Sequence, residues 1–172
     1  MIEDAKIGTF VRSLPVPHEP ADTRLFTAGP LTIGVEYRLF DPVAEAAKLT
    51  PEEVAATGPD SLFHTGGGAD QGVCLHVFAT EGLAEYVRFD CFAGEPHYHY
   101  IVPGEGNMLV HYDELANGPM VDWAVGAIRR RLRSMLAAVG AADLAAEIDD
   151  VALAAAMDEV EPLARAQGAA AA

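Results

Sequence analysis

The hydrophobic period of this chain changes once, near Pro119, and that change decides what it can fold into. Before Pro119 the apolar residues recur at every second position, as in Leu31-Thr32-Ile33-Gly34-Val35-Glu36-Tyr37-Arg38-Leu39-Phe40. After it they recur at 3.6, with Val121, Ala124/Val125, Ile128, Leu132, Met135/Leu136 and Val139 forming one stripe that ends at Gly140. Period two is the mark of a strand with one buried face, and period 3.6 of a helix with one buried stripe. Strands first and helices last imply an α+β fold, an antiparallel β-sheet of four to five strands with C-terminal helices packed on one face.

Local signals place the elements. Val73–Phe78 and Glu85–Phe92 read as strands joined by a hairpin at Thr80-Glu81-Gly82, and two further strands centre on Tyr98 and Leu109. Asp41-Pro42 reads as an N-cap with proline at the first helical position, opening a helix to about Leu49. Thr50-Pro51-Glu52-Glu53 is a capping box that starts another short helix. Asp143 to Ile148 reads as a short helix. Asp149 or Asp150 caps a longer one, with Leu153, Met157, Val160 and Leu163 on one face and Pro162 as a kink. Residues 1–30, rich in proline, read as an extended arm; residues 31–113 are mainly sheet and residues 119–167 are helices. At 172 residues the chain suits a single domain, 1–172, that buries its core without staples.

The chemistry concentrates in Gly94-Glu95-Pro96-His97-Tyr98-His99-Tyr100 and, beyond a turn, His111-Tyr112-Asp113. On a strand the two histidines of His97-Tyr98-His99 share a face, with Cα atoms roughly 6.5–7 Å apart. A hairpin loop centred on Glu105 would pair residues whose numbers sum to 210, setting His99 against His111 and His97 against Asp113. Opposed Cβ atoms lie about 4.5–5.5 Å apart, within reach of one shared metal. His97, His99 and His111, with Asp113 or Glu95 completing or orienting the site, are therefore the expected ligands. The nitrogen and oxygen donors suit a divalent transition metal, Fe, Zn, Mn, Ni or Cu. Such an ion would polarise a carbonyl or activate water in a small-molecule substrate.

Two other readings stand beside this one. In a metal-free ligand-binding or cyclase/isomerase-type domain, a histidine beside Tyr98, Tyr100 or Tyr112 would move protons, with Asp90 or Glu95 as a base of raised pKa. Tyr98 is a candidate catalytic residue there, although strand tyrosines more commonly wall a pocket or pack under helices. In a non-catalytic module, the His-Tyr strand would be a homodimer interface. His76 is expected to be a buried, hydrogen-bonded histidine. His64 precedes Gly66-Gly67-Gly68 in what reads as a lid or plain turn. Cys74 and Cys91 read as small buried hydrophobes. The basic run Arg129, Arg130, Arg131 and Arg133 is expected to pair with acids such as Asp143, Glu147 and Asp149, or to clamp an anionic ligand.

The formal charge of −15 argues against nucleic acid or a membrane surface as a partner, since both are polyanionic. No apolar run approaches the ~18 residues a membrane helix needs, and the opening residues lack the regions of a signal peptide. With two cysteines and no CxxC, a reducing cytoplasm is the expected location.

The HxH element resembles the first motif of the cupins over about Gly94 to Gly106. Glu105 lies six residues after His99, where cupins place a glutamate four or five after, and no histidine follows His111. The cupin ligand set is therefore not carried over. More broadly, Arg88-Phe89-Asp90-Cys91-Phe92 and Pro96-His97-Tyr98-His99-Tyr100-Ile101, followed by Trp123 and the arginine-rich helix, resemble an uncharacterised bacterial family of similar length. That resemblance covers most of the chain from Leu31 onward and implies no particular activity.

Overall fold

The computed structural model describes residues 9–11, 16–56 and 68–171. Among these residues seven strands form one antiparallel sheet: β1 (Thr9–Val11), β2 (Thr23–Ala28), β3 (Leu31–Phe40), β4 (Asp70–Ala79), β5 (Glu85–Phe92), β6 (His97–Val102) and β7 (Gly106–His111). From β2 to β7 each strand pairs with the next in sequence, and β1 adds beside β7, giving the order β1-β7-β6-β5-β4-β3-β2. Two short helices, α1 (Pro42–Ala46) and α2 (Pro51–Ala56), follow β3; α3 (Glu114–Asn117), α4 (Met120–Ala138), α5 (Ala142–Ala146) and α6 (Asp150–Ala171) follow β7.

The caps form where the sequence places them. The Asp41 carboxylate accepts from Val43 N at 2.9 Å, and Thr50 and Glu53 exchange both bonds of a capping box. Asp149 caps α6 by accepting from Val151 N and Ala152 N. Pro162 lies inside that helix. Among the described residues no helix is long and apolar enough to cross a membrane.

The sheet has more strands than the four to five expected. Both additions fall within the stretch read as an extended arm: β1 beside β7 and, at the opposite edge, β2. In β2 only Phe26 and Ala28 are buried, so its alternation is faint. Its turn is a two-residue link, Gly29-Pro30, with Ala28 paired to Leu31 and Gly29 at φ 68°. A left-handed first turn residue matches the twist of the two strands, which glycine allows without steric cost.

One face of the sheet meets α4 and α6, and α5 packs on α4. Ile33, Val35, Val73, Leu75, Val77, Val87 and Phe89 pack there against Met120, Ile128, Leu136, Met157 and Val160, all 2 % exposed or less. Trp123 closes the end of this core, edge-on to Phe89 at 5.7 Å and 5.0 Å from the Tyr98 ring. The arginines of α4 tie it to α6, though not through the acids expected. Arg129 pairs with Asp158 and Glu161, and Arg133 with Asp150. Arg165 on α6 returns to Asp122 and Glu161. The reason is geometric: α6 runs beside α4, so its side chains are nearer than those of the connecting α5.

Candidate metal centre

Because side chains alternate along a strand, the polar residues between those core positions all emerge on the opposite face. Glu36, Arg38, His76, Arg88, Asp90, His97, His99 and Asn107 line it, and each is at most 8 % exposed. Charges so deprived of water persist only with partners. Val16, Pro17 and His18 lie over this face and supply some of them.

The centre of the face is an ion network. Arg38 grips Glu36 through Nε at 3.1 Å and Nη2 at 3.0 Å, and donates to the Pro17 carbonyl at 2.8 Å. Arg88, 1 % exposed, grips Glu85 in the same forked way at 2.9 and 2.6 Å and donates to the Val16 carbonyl at 2.7 Å. Between them His76 meets Glu85 through Nδ1 at 2.6 Å and Glu36 through Nε2 at 3.0 Å. The ring thus bridges the two carboxylates. The His18 ring packs edge-on against Phe78 at 5.0 Å, and its burial lowers its pKa. His76 is thus the buried, hydrogen-bonded histidine that its place on a strand implies.

Burial alone would raise the carboxyl pKa of Glu36 and Glu85. The His76 and Arg38 hydrogen bonds outweigh it for Glu36, and the Arg88 charge and His76 hydrogen bond for Glu85, so both fall from 4.5 to about 2. A depressed folded-state pKa contributes stability that is present above the unfolded value and lost as pH falls through the folded one. The urea midpoint should therefore decline as pH drops from about 4.5 towards 2, and Glu85→Gln should decline less steeply. Parallel curves for the two proteins would show that Glu85 carries none of the acid sensitivity.

At the β5–β6 end of the face, Asp90, His97 and His99 converge. Register places Asp90 opposite His97 and Arg88 opposite His99. Nε2 of His99 lies 3.0 Å and Nε2 of His97 3.3 Å from the same atom, Asp90 Oδ2, and one ligand atom from each residue lies within 4.8 Å of the others. The far side of each ring is already committed. His97 Nδ1 donates to the Glu95 carbonyl at 2.6 Å, and His99 Nδ1 meets Asn107 Oδ1 at 2.8 Å. An oxygen acceptor there places the proton on Nδ1, which leaves Nε2 with its lone pair aimed at a carboxylate. Two lone-pair atoms facing each other at 3.0 Å require a cation, either a proton or a metal ion. Among the described residues, Asp90 Oδ1 is also buried without a hydrogen-bond partner.

The protonation equilibria follow this geometry. Burial would raise the Asp90 pKa, but the His97 and His99 hydrogen bonds and the Arg88 charge hold it well below the usual carboxylate range. Asp90 is consequently not the base of raised pKa considered from the sequence: two imidazoles and a guanidinium surround it. Burial lowers His99, whereas for His97 the Asp90 hydrogen bond and charge outweigh burial and the pKa rises.

The hairpin register differs from the expected one. His97 pairs with His111 and His99 with Leu109, so partner numbers sum to 208 rather than 210. The turn centres on Gly104 because that residue takes the left-handed conformation, φ 80°, which glycine adopts freely. Moving the centre by one residue moves each partner by two, so the faces are preserved while the pairs change. His111 remains on the face of His97 and His99, in the exposed rung beside His97. Asp113 falls beyond the strand and caps α3, accepting from Ala116 N at 3.1 Å. Glu95 is exposed at the mouth of the site.

Tyr98 stands on the helix side, between Phe89 and Trp123, and burial raises its pKa. Tyr112 lies on that side too and donates to the Gly118 carbonyl at 2.9 Å. His64, Gly66 and Gly67 lie outside the described residues. Cys74 and Cys91 are buried, and burial raises both thiols well above their ordinary pKa.

Strand periodicity by itself does not join Asp90 to the histidine pair. A signal for it exists: Glu36 and Arg38, Arg88 and Asp90, His97 and His99 are each polar pairs spaced by two, followed on the same parity by an apolar residue, Phe40, Phe92 and Ile101. Such pairs on neighbouring strands mark one polar face, although not which members touch.

No curated protein and no solved structure matches the chain. A family model does match, over residues 25–164, which takes in Glu36, Arg38, His76, Glu85 and Arg88 of the ion network and the Asp90, His97, His99 cluster. The chain belongs to the family described as a domain of unknown function, DUF7700.

Proposed function

We propose that this protein binds a divalent first-row transition metal through Asp90, His97 and His99 and is a metal-dependent enzyme acting on a small molecule. The observation that carries the reading is the pair of Nε2 atoms directed at one carboxylate oxygen, each ring oriented from behind by an oxygen acceptor. Metal-bound histidines are commonly oriented in this way. The spacing suits the role. For bonds of about 2.1 Å, neighbouring ligand atoms lie about 3.0 Å apart in an octahedron and about 3.4 Å apart in a tetrahedron. The observed separations are 3.0 and 3.3 Å.

Two imidazoles and one carboxylate leave coordination positions open, an arrangement suited to Fe(II) or Zn chemistry on a bound substrate. When bound, the ion supplies Lewis acidity or an activated water. The chain's own contribution is to hold both rings with Nε2 turned towards the ion and to keep the carboxylate ionised.

A metal-free reading has one observation in its favour: His97, its pKa raised by Asp90, lines a cavity and would serve as an acid. Elemental analysis separates the two. Tag-free protein, as purified or after reconstitution with Fe(II), Zn, Mn, Ni or Cu, should carry close to one ion per chain. A His97→Ala/His99→Ala variant with unchanged circular dichroism should carry almost none. No retained metal under any of these conditions would overturn the metal reading.

A further inference from the structure

Beside His97 the polar face opens into a cavity of about 160 Å³. A cavity of about 150 Å³ holds one benzene-sized body, so the space fits a single ring or a short branched chain. Its walls are the rings of Phe40 and Phe92, stacked 6.1 Å apart at 26°, with Phe92 edge-on to His97 at 5.6 Å. Gly68, Ala69 and two carboxylates, Asp70 and Glu95, complete the lining, and among the described residues no lysine or arginine belongs to it.

The two carboxylates are not equivalent. Asp70 accepts from the backbone N–H groups of Gln71 at 2.8 Å, Gly94 at 3.0 Å and Glu95 at 2.8 Å. It is spent on holding the 94–95 turn in place. The Glu95 carboxylate, exposed at the mouth, is left to meet a ligand. Aromatic walls and a carboxylate together recognise an ammonium group: the carboxylate offers a charge-assisted hydrogen bond and the ring faces offer their negative quadrupole. The same carboxylates repel an anion.

We propose that this cavity takes a small primary amine, its hydrocarbon body against Phe40 and Phe92, its ammonium at Glu95, and its adjoining carbon beside His97. As a statement about the substrate this rests on the metal reading above; binding itself needs only the cavity. The test uses benzylamine, benzyl alcohol and benzoate as probes on the full chain, with and without metal, followed by amide chemical shifts. Benzylamine should bind about tenfold more tightly than benzyl alcohol, as one partly exposed ion pair with ring contacts would give, and benzoate should be the weakest. Glu95→Gln, a change at an exposed position, should remove the preference for amine over alcohol and leave alcohol binding intact. Benzoate binding as well as benzylamine, an undiminished preference in Glu95→Gln, or no shifts with any probe would overturn the proposal. Amine binding by a chain that retains no metal would uphold it while removing the metal reading. Metal binding without amine binding would do the reverse.

Discussion

Replacing Arg88 by methionine should lower the unfolding free energy by about 3–5 kcal/mol, the cost of leaving a buried charge without its partner. Arg88 is 1 % exposed and holds the Glu85 carboxylate with two hydrogen bonds and the Val16 carbonyl with a third. It also lies between Glu85 and Asp90, whose charges it offsets. Methionine keeps much of the length of the side chain and none of its charge, so the loss measures electrostatics more than packing. Urea denaturation of parent and variant reads the effect through the midpoint. Adding Glu85→Gln should recover part of the loss, since the second change removes one of the orphaned charges. A loss below about 1 kcal/mol, the range of an exposed ion pair, would mean that water reaches this face freely.

The second large effect concerns the metal. Asp90→Asn preserves shape and removes the charge shared by both imidazoles, and it should weaken metal affinity by more than the 10–100-fold typical of losing an outer-shell partner. Asn107→Ala, which frees His99 Nδ1 from its acceptor, should fall within that 10–100-fold range. His111→Ala and Asp113→Ala serve as controls. His111 occupies an exposed rung and Asp113 caps α3, so both variants should retain near-parental affinity. Competition with a chelating dye measures all four on one scale. Equal losses from Asp90→Asn and His111→Ala would move the ion towards the exposed rung and away from Asp90.

Much of this architecture can be read along the chain, because the information needed is local. The alternation of Leu31–Phe40 and Glu85–Phe92 marks β3 and β5 from end to end, and Asp41, Thr50 and Gly140 mark helix boundaries where they stand. These signals depend on neighbours within a few residues, where backbone geometry leaves few alternatives. The faint edge strand β2 lacked such a signal because most of its side chains are not buried.

The site divides along the same line. Sequence by itself determined that His97 and His99 share a face, since a side-chain period of two allows nothing else on a strand. It also determined that Tyr98 looks the other way. Only the tertiary structure decided which carboxylate they meet. Asp90 reaches them because β5 pairs with β6 in one register, and Asp113 does not because the left-handed residue of the turn is Gly104. The burial that gives the carboxylate its force is also tertiary, because it comes from neighbouring strands and from Val16–His18 lying over the face. Periodicity fixes direction; register and covering fix distance and dielectric, and those belong to segments far apart in the chain.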